Sequence, residues 1–245
     1  MKDYNQQAEM IYKRKSVREF SGNPAEIFEN GYNLMELFGV KPLIDSIKVK
    51  VITLKKDKIN NKRSNYCIAF YSEEKPLCLE NIGFIGQQID LALQSKGLGT
   101  CWWGMKKPKR AYKNMDGLHC VITMTAGHPL KDEQRVYPDG FERKAVKDIL
   151  LNDTQSDRFI EAVRIAPSAV NLQPWLIEKI DGKYNFYIRK PKTIMEKMVS
   201  KMRHIDIGIA LAHFFILAKA GGVEPSFGFE GKDIEQGKFV ISVTG

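Results

Sequence analysis

Long apolar runs are missing from this chain of 245 residues. The most apolar stretch, residues 205–220 (IDIGIALAHFFILAKA), is shorter than the ~20 residues of a membrane span, and it carries Asp206, His213 and Lys219. It reads as a deeply buried helix, and no membrane partner is expected. Cysteine is scarce. Cys67, Cys78, Cys101 and Cys120 include no C-x-x-C pair, which excludes a zinc knuckle, a thioredoxin-type site and a secreted disulfide framework. The four histidines (119, 128, 204 and 213) lack ligand spacing, so they read as structural and no metal is expected. No apolar segment follows the first residues, MKDYNQQAEM, so no signal peptide is visible and a cytoplasmic location is expected. No G-x-G-x-x-G opens a helix after a strand, which removes a Rossmann reading.

What is present is a basic surplus. Lys and Arg number 38 against 29 Asp and Glu, leaving +9, which favours anionic partners. Nucleic acid and a phosphate-bearing cofactor both fit that charge. With no basic helix and no interleaving of aromatic and basic residues, nucleic acid is not expected as a partner.

The apolar patterning is that of an α+β chain. Residues 24–38 read as a helix, with Pro24 in its first turn and Gly39 at its end. Residues 47–54 and 66–71 read as strands, 82–96 as a helix and 120–125 as a strand. The second half repeats the plan with a helix over 157–165 and strands over 175–180 and 184–189, turning at Asp181-Gly182. A long helix over 204–220 and a last strand over 239–244 complete it. Laying Tyr66 on Tyr184 needs an offset of 118, Ile82 on Ile205 one of 123, and 121–125 on 240–244 one of 119. Such near-constant spacing predicts one strand–helix–strand plan used twice, in halves 1–150 and 151–245. No Ser- or Pro-rich linker separates the halves, so two intimately packed lobes are expected.

Four segments carry chemistry. Arg14-Lys15-Ser16-Val17-Arg18-Glu19-Phe20 places cations and a hydroxyl where a phosphate could be gripped, although a solvated basic turn anchored by Val17 and Phe20 fits as well. Ala166–Trp175 (APSAVNLQPW) offers Ser168, Asn171 and Gln173 between two prolines. Its carboxamides suit the mixed edge of a heteroaromatic ring, or a turn that caps its own backbone. Gly97–Gly104 (GLGTCWWG) reads as a loop whose glycines let backbone approach a ligand. Gly127-His128-Pro129 precedes a second basic cluster at Arg143-Lys144.

Together these segments resemble the nitroreductase family of FMN-dependent oxidoreductases, from about residue 11 to the chain end. Residues 14–20 match R-R-S-x-R-x-F, 166–175 match A-P-S-x-x-N-x-Q-P-W, and 97–104 match G-L-G-T-C-W-I-G with Trp103 at the Ile place. Gly127-His128-Pro129 with Arg143–Val146 matches the closing G-Y-P and R-K-P-L. The order departs from the family pattern, because the Pro-Ser…Asn motif comes last and Gly39–Pro42 stands at its expected place. In family homodimers the flavin takes its partners from both subunits. The resemblance therefore implies a dimer fused into one polypeptide, an internally duplicated pseudo-dimer with central helices, one complete site kept and the other eroded. Residues 82–96 would be the internal partner of the 205–220 helix.

That resemblance implies a nitroreductase-like fold that binds FMN and takes hydride from NADH or NADPH by a ping-pong route. The partner would be a small-molecule electron acceptor, a nitroaromatic, quinone or similar compound. Arg14, Lys15, Ser16, Arg143 and Lys144 are expected on the phosphate and ribityl side, with Arg18 also among the cofactor-binding residues. Ser168, Asn171 and Gln173 are expected at the ring, with Pro167 shaping the turn, and Gly99, Thr100, Cys101 and Trp102 lie beside it. No protein acid, base or nucleophile is expected, because the flavin carries the chemistry. The chain should be a monomer with one FMN. The alternative is a flavin-binding protein for storage or sensing that has lost turnover.

Overall fold

The computed structural model describes residues 3–23, 25–59, 63–104, 108–131, 134–152 and 156–245. It opens with α1 (Tyr4–Lys13), capped by the Asp3 carboxylate, which accepts from the Gln6 N–H at 3.0 Å. The single helix expected over 24–38 is two short ones, α2 (Glu26–Glu29) and α3 (Leu34–Leu37). Gly31 between them sits at φ +66°, a left-handed turn that ends the first, and Asn33 caps the second by accepting from the Met35 N–H at 3.1 Å. Pro24, expected in the first turn, lies outside the described residues.

The strands fall in two antiparallel sheets. β1 (Val49–Lys55), β2 (Tyr66–Ser72), β3 (Gly99–Trp103) and β5 (Leu118–Gly127) lie in the order β1-β2-β5-β3, with the short β4 (Asn114–Met115) paired to β5. α4 (Cys78–Gln94) runs between β2 and β3. After α5 (Arg158–Arg164), β6 (Trp175–Ile180) and β7 (Lys183–Arg189) form the hairpin anticipated at Asp181-Gly182, both of which take positive φ. Then follow α6 (Ile194–Met198), α7 (Ser200–Ala220), β8 (Ser226–Gly228) and β9 (Gly237–Thr244), in the sheet order β6-β7-β9-β8. With the short β4 and α6 set aside, each sheet is thus built from strand, strand, helix, strand, strand with the same neighbours. Each also slips register at a corresponding place, between Phe70 and Tyr71 against β5 and between Phe186 and Tyr187 against β9.

The glycine loop expected over 97–104 is mostly strand. Gly99–Trp103 pairs with Thr123–Gly127, because Thr-Cys-Trp-Trp is a β-prone run that completes a sheet edge.

α4 and α7 cross at the centre of the molecule. Residues 80–93 of α4 are buried on every face, as are 205–216 of α7, so neither helix is amphipathic. At the crossing, a Cβ on Gly83 would lie 2.0 Å from the Ile205 carbonyl oxygen, and one on Gly208 would lie 1.9 Å from the Glu80 oxygen. Positions 80 and 83 repeat as 205 and 208, an offset of 125, and the contact is reciprocal, as across a two-fold axis. This moves the helix register by two from the pairing of Ile82 with Ile205. Among the described residues, no helix is long and apolar enough to cross a membrane, and no cluster of side chains could hold a metal ion.

Candidate functional site

The basic segment after α1 lies along β3. Val17 N–H donates to the Thr100 carbonyl at 2.8 Å, and Ser16 bridges Thr100. Gly99 has to be a glycine here, since a Cβ would meet the Val17 side chain at 2.6 Å. Its small size serves this internal contact.

Arg14 turns inward. Its Nε lies 3.0 Å from Asp90 Oδ2 with both side chains excluded from solvent, and its Nη2 donates to Ser16 Oγ at 3.2 Å. Asp90 also accepts from Gln87 at 3.0 Å, from Gln94 at 2.6 Å and from the Thr100 hydroxyl. The Lys15 N–H donates to Gln94 Oε1 at 3.2 Å. Gln87 continues the polar chain to Trp102 Nε1 and to His213, whose ring burial drives down to about 3 and which also bonds the Ala162 carbonyl.

The second motif is a tight loop after α5. Asp157 caps that helix by accepting from the Phe159 and Ile160 N–H groups at 2.9 and 2.8 Å. At its far end Arg143 donates to the Ile165 and Ala166 carbonyls, both at 3.2 Å, and to Asn171 Oδ1 at 3.1 Å. Asn171 Nδ2 donates to the Glu142 carbonyl at 3.1 Å. Ser168 Oγ accepts from the Gln173 N–H at 2.9 Å. Val170, Asn171 and Gln173 all take left-handed φ, at +45°, +57° and +49°. For an exposed, β-branched Val170 that is a strained conformation, held by the bonds around it.

Two joined cavities open where the motifs meet. Ser16, Arg18, Pro167, Ser168 and Val170 line both. The outer one, about 700 Å³, is walled by Arg14, Lys15, Arg18, Arg135, Arg143 and Asn171. Burial and the neighbouring guanidiniums of Arg135 and Arg14 bring Arg143 down to about 10, and Arg135 is lowered by burial with Arg14 and Arg18. The Arg135 guanidinium lies over the Phe141 ring at 4.8 Å, yet its buried Nη1 has no hydrogen-bond partner among the described residues. Crowded cations and an Arg135 donor without a partner among the described residues give this cavity a positive potential. The inner cavity, about 170 Å³, is bounded by Cys101, Trp102, Ile209 and Asp206. It abuts a third space of about 450 Å³ at Gly104, Ile122, Met202 and Ile205.

Of the residues singled out from the sequence, Arg14, Lys15, Ser16, Arg18, Arg143, Pro167, Ser168 and Asn171 converge on the outer cavity, and Cys101 and Trp102 on the inner. Gly99, Thr100, Lys144 and Gln173 line neither. Lys144 Nζ donates to the Leu172 and Gln173 carbonyls at 2.7 and 3.1 Å, while Gln173 spends its carboxamide on the Lys144 N–H and on Asn171. These bonds of Lys144 and Gln173 brace the loop. Arg135 and Asp206 line the cavities without having been singled out. The signal for Asp206 was an acid interrupting the most apolar run of the chain.

Residues 7–218 match the model of the family described as "Putative TM nitroreductase". A putative nitroreductase from Thermotoga maritima superposes with a TM-score of 0.68 at 22% identity, over 99% of this chain and 95% of that one, and the two share a fold. A nitroreductase with bound FMN from Desulfitobacterium hafniense aligns at a TM-score of 0.44 and 14% identity, over 57% of this chain and 96% of that one. No curated protein matches the sequence.

Proposed function

The chain belongs to the nitroreductase family described as "Putative TM nitroreductase", and from that premise we propose that it is an FMN-dependent oxidoreductase that draws electrons from NADH or NADPH. One observation carries the reading: a cationic cavity with an unused buried guanidinium N–H opens into a small, largely apolar one. A ligand with an anionic tail and a flat heteroaromatic head fits that pair. Arg14, Arg18, Arg135 and Arg143 would hold the phosphate, and Ser168, Cys101, Trp102 and Asp206 would surround the ring. Lys144 and Gln173 would act indirectly, by fixing the loop that carries Ser168 and Asn171.

Bound FMN would supply hydride acceptance and donation, so the chain needs no nucleophile of its own. Its residues bind, orient and exclude water. The space beside Gly104 and Met202 is where a nitroaromatic, quinone or similar acceptor would enter. Both halves of the chain, 1–150 and 151–245, contribute to this site, so one FMN per monomeric chain is expected.

Anaerobic addition of NADH or NADPH should bleach the flavin of the purified protein, and an acceptor screen should restore its colour. A colourless protein that takes up no added FMN overturns the reading. Flavin that binds but resists both nicotinamides would leave a flavin-binding protein without turnover.

A further inference from the structure

The duplication supplies an internal control for Asp206. Its counterpart 125 positions earlier is Asn81. Asn81 Oδ1 accepts from the Leu43 and Ile44 N–H groups at 2.8 and 3.2 Å, and Nδ2 donates to the Ile44 carbonyl at 3.4 Å. The amide is satisfied at both ends. Asp206 Oδ1 accepts from the Ala169 N–H at 3.0 Å, and Ala169 stands 125 positions after Ile44. Both side chains therefore hold the loop that precedes their sheet. In one copy an asparagine suffices for this task.

The other copy has a carboxyl, which is more costly to bury. Asp206 is 2% exposed, its Oδ2 has no hydrogen-bond partner among the described residues, and it forms part of the inner cavity wall. Leu43, itself buried, occupies the place that Ser168 holds at that wall. The copy with the open cavity is thus the copy with the spare oxygen.

We propose that Asp206 acts as a neutral acid, donating a hydrogen bond from Oδ2 to an acceptor atom, a carbonyl oxygen or ring nitrogen, of the heteroaromatic ligand in the inner cavity. The inference rests on the reading that this ligand is the flavin ring. Burial pushes the carboxyl up to about 8, against the pull of the Ala169 N–H and of Arg203 one turn earlier on α7. Arg203 is engaged with the Arg189 carbonyl. Arg18 and the Cys101 thiol face the same cavity, His204 on α7 is paired with Glu80 of α4, and residues 167–170 bring no titratable group. A carboxylate would set lone pairs against the acceptor atoms of the ring, whereas the protonated acid presents a donor.

The test is FMN titration at pH 7, 8 and 9, followed by fluorescence, into wild type, Asp206→Asn and Asp206→Leu. Over this range the phosphate is already dianionic. Wild-type affinity should weaken about tenfold from pH 7 to 9 as Asp206 ionises. Asp206→Asn, whose Oδ1 can keep Ala169 while Nδ2 donates at every pH, should bind evenly and about tenfold more tightly than wild type at pH 9. Asp206→Leu should bind weakly throughout. The inference is overturned if Asp206→Asn follows the wild-type pH curve, or if it binds tenfold or more weakly than wild type at pH 7. Melting curves without ligand show which variants fold, and the comparison of wild type with Asp206→Asn decides the matter even if Asp206→Leu does not fold. Wild type that takes up no FMN at any pH fails the flavin reading itself, a different result from binding without pH dependence.

Discussion

Arg14 and Asp90 form an ion pair at 3.0 Å with both side chains sealed from solvent, while Arg14 also lines the outer cavity. That double employment makes Arg14 an ambiguous probe of binding. Arg14→Ala strands a buried carboxylate and should cost about 3–5 kcal/mol of stability, read as a lower midpoint in urea. Arg135 is the cleaner probe, because its Nη1 has no partner to lose among the described residues. Arg135→Ala should weaken FMN roughly 10- to 150-fold, the loss of a charge-assisted hydrogen bond. Riboflavin, which lacks the phosphate, should bind the variant as it binds wild type. Parallel losses for both flavins would remove Arg135 from the phosphate side.

The loop at 166–174 stores strain that can be released selectively. Val170→Gly relieves a β-branched residue at φ +45° and should raise stability by about 1 kcal/mol. Asn171→Leu should act in the opposite direction. It loses the bonds to Arg143, Gln173 and the Glu142 carbonyl and places a bulky side chain at φ +57°. Asn171→Gly keeps the backbone conformation while losing the same bonds, so it should be more stable than Asn171→Leu by about 1 kcal/mol. Thermal melts of the three proteins without ligand check the order.

Two buried groups give the apoprotein opposing pH dependences. Asp206 is raised to about 8, so the folded state holds a proton that the unfolded chain releases near pH 4, and stability falls as pH climbs from there to 8. His213 is lowered to about 3, so its contribution is present above pH 6.5 and is lost as pH falls toward 3. The slopes oppose each other between pH 4 and 6.5. Between 6.5 and 8 only the Asp206 slope of these two remains, up to about 1.4 kcal/mol per pH unit. Urea unfolding at pH 6.5 and 8 should show wild type losing stability across that window and Asp206→Asn losing less. Equal slopes in both proteins would mean that Asp206 is already ionised.

The helix crossing tests the repeat. Gly83→Ala and Gly208→Ala each press a Cβ against a backbone carbonyl oxygen that cannot swing aside. Each should cost about 3 kcal/mol or more, and the two penalties should agree within about 1 kcal/mol if the contact is two-fold in energy as well as in shape.

The elements whose formation depends on near neighbours were legible in the chain. Strands 175–180 and 184–189 with their Asp-Gly turn, the buried helix over 205–220 and the duplicated plan all follow from local periodicity and turn residues. The two motifs that line the cavities stood out through their resemblance to the family pattern, since taken alone each also fits a plain turn. What the sequence left open was the allocation of polar groups. Gln173 looks free to meet a ring until Lys144 stands opposite it, Arg14 looks like a surface cation until Asp90 takes it into the core, and Gly99 serves Val17. The break of the 24–38 helix at Gly31 depended on a left-handed turn that an amphipathic pattern does not register. Asp206 and Arg135 gain their meaning from an oxygen and a nitrogen with no hydrogen-bond partner among the described residues. Composition and periodicity fix which segments seek burial and in what form. Which donor meets which acceptor is settled only when residues tens of positions apart are packed together, because a hydrogen bond needs its partner within about 3 Å.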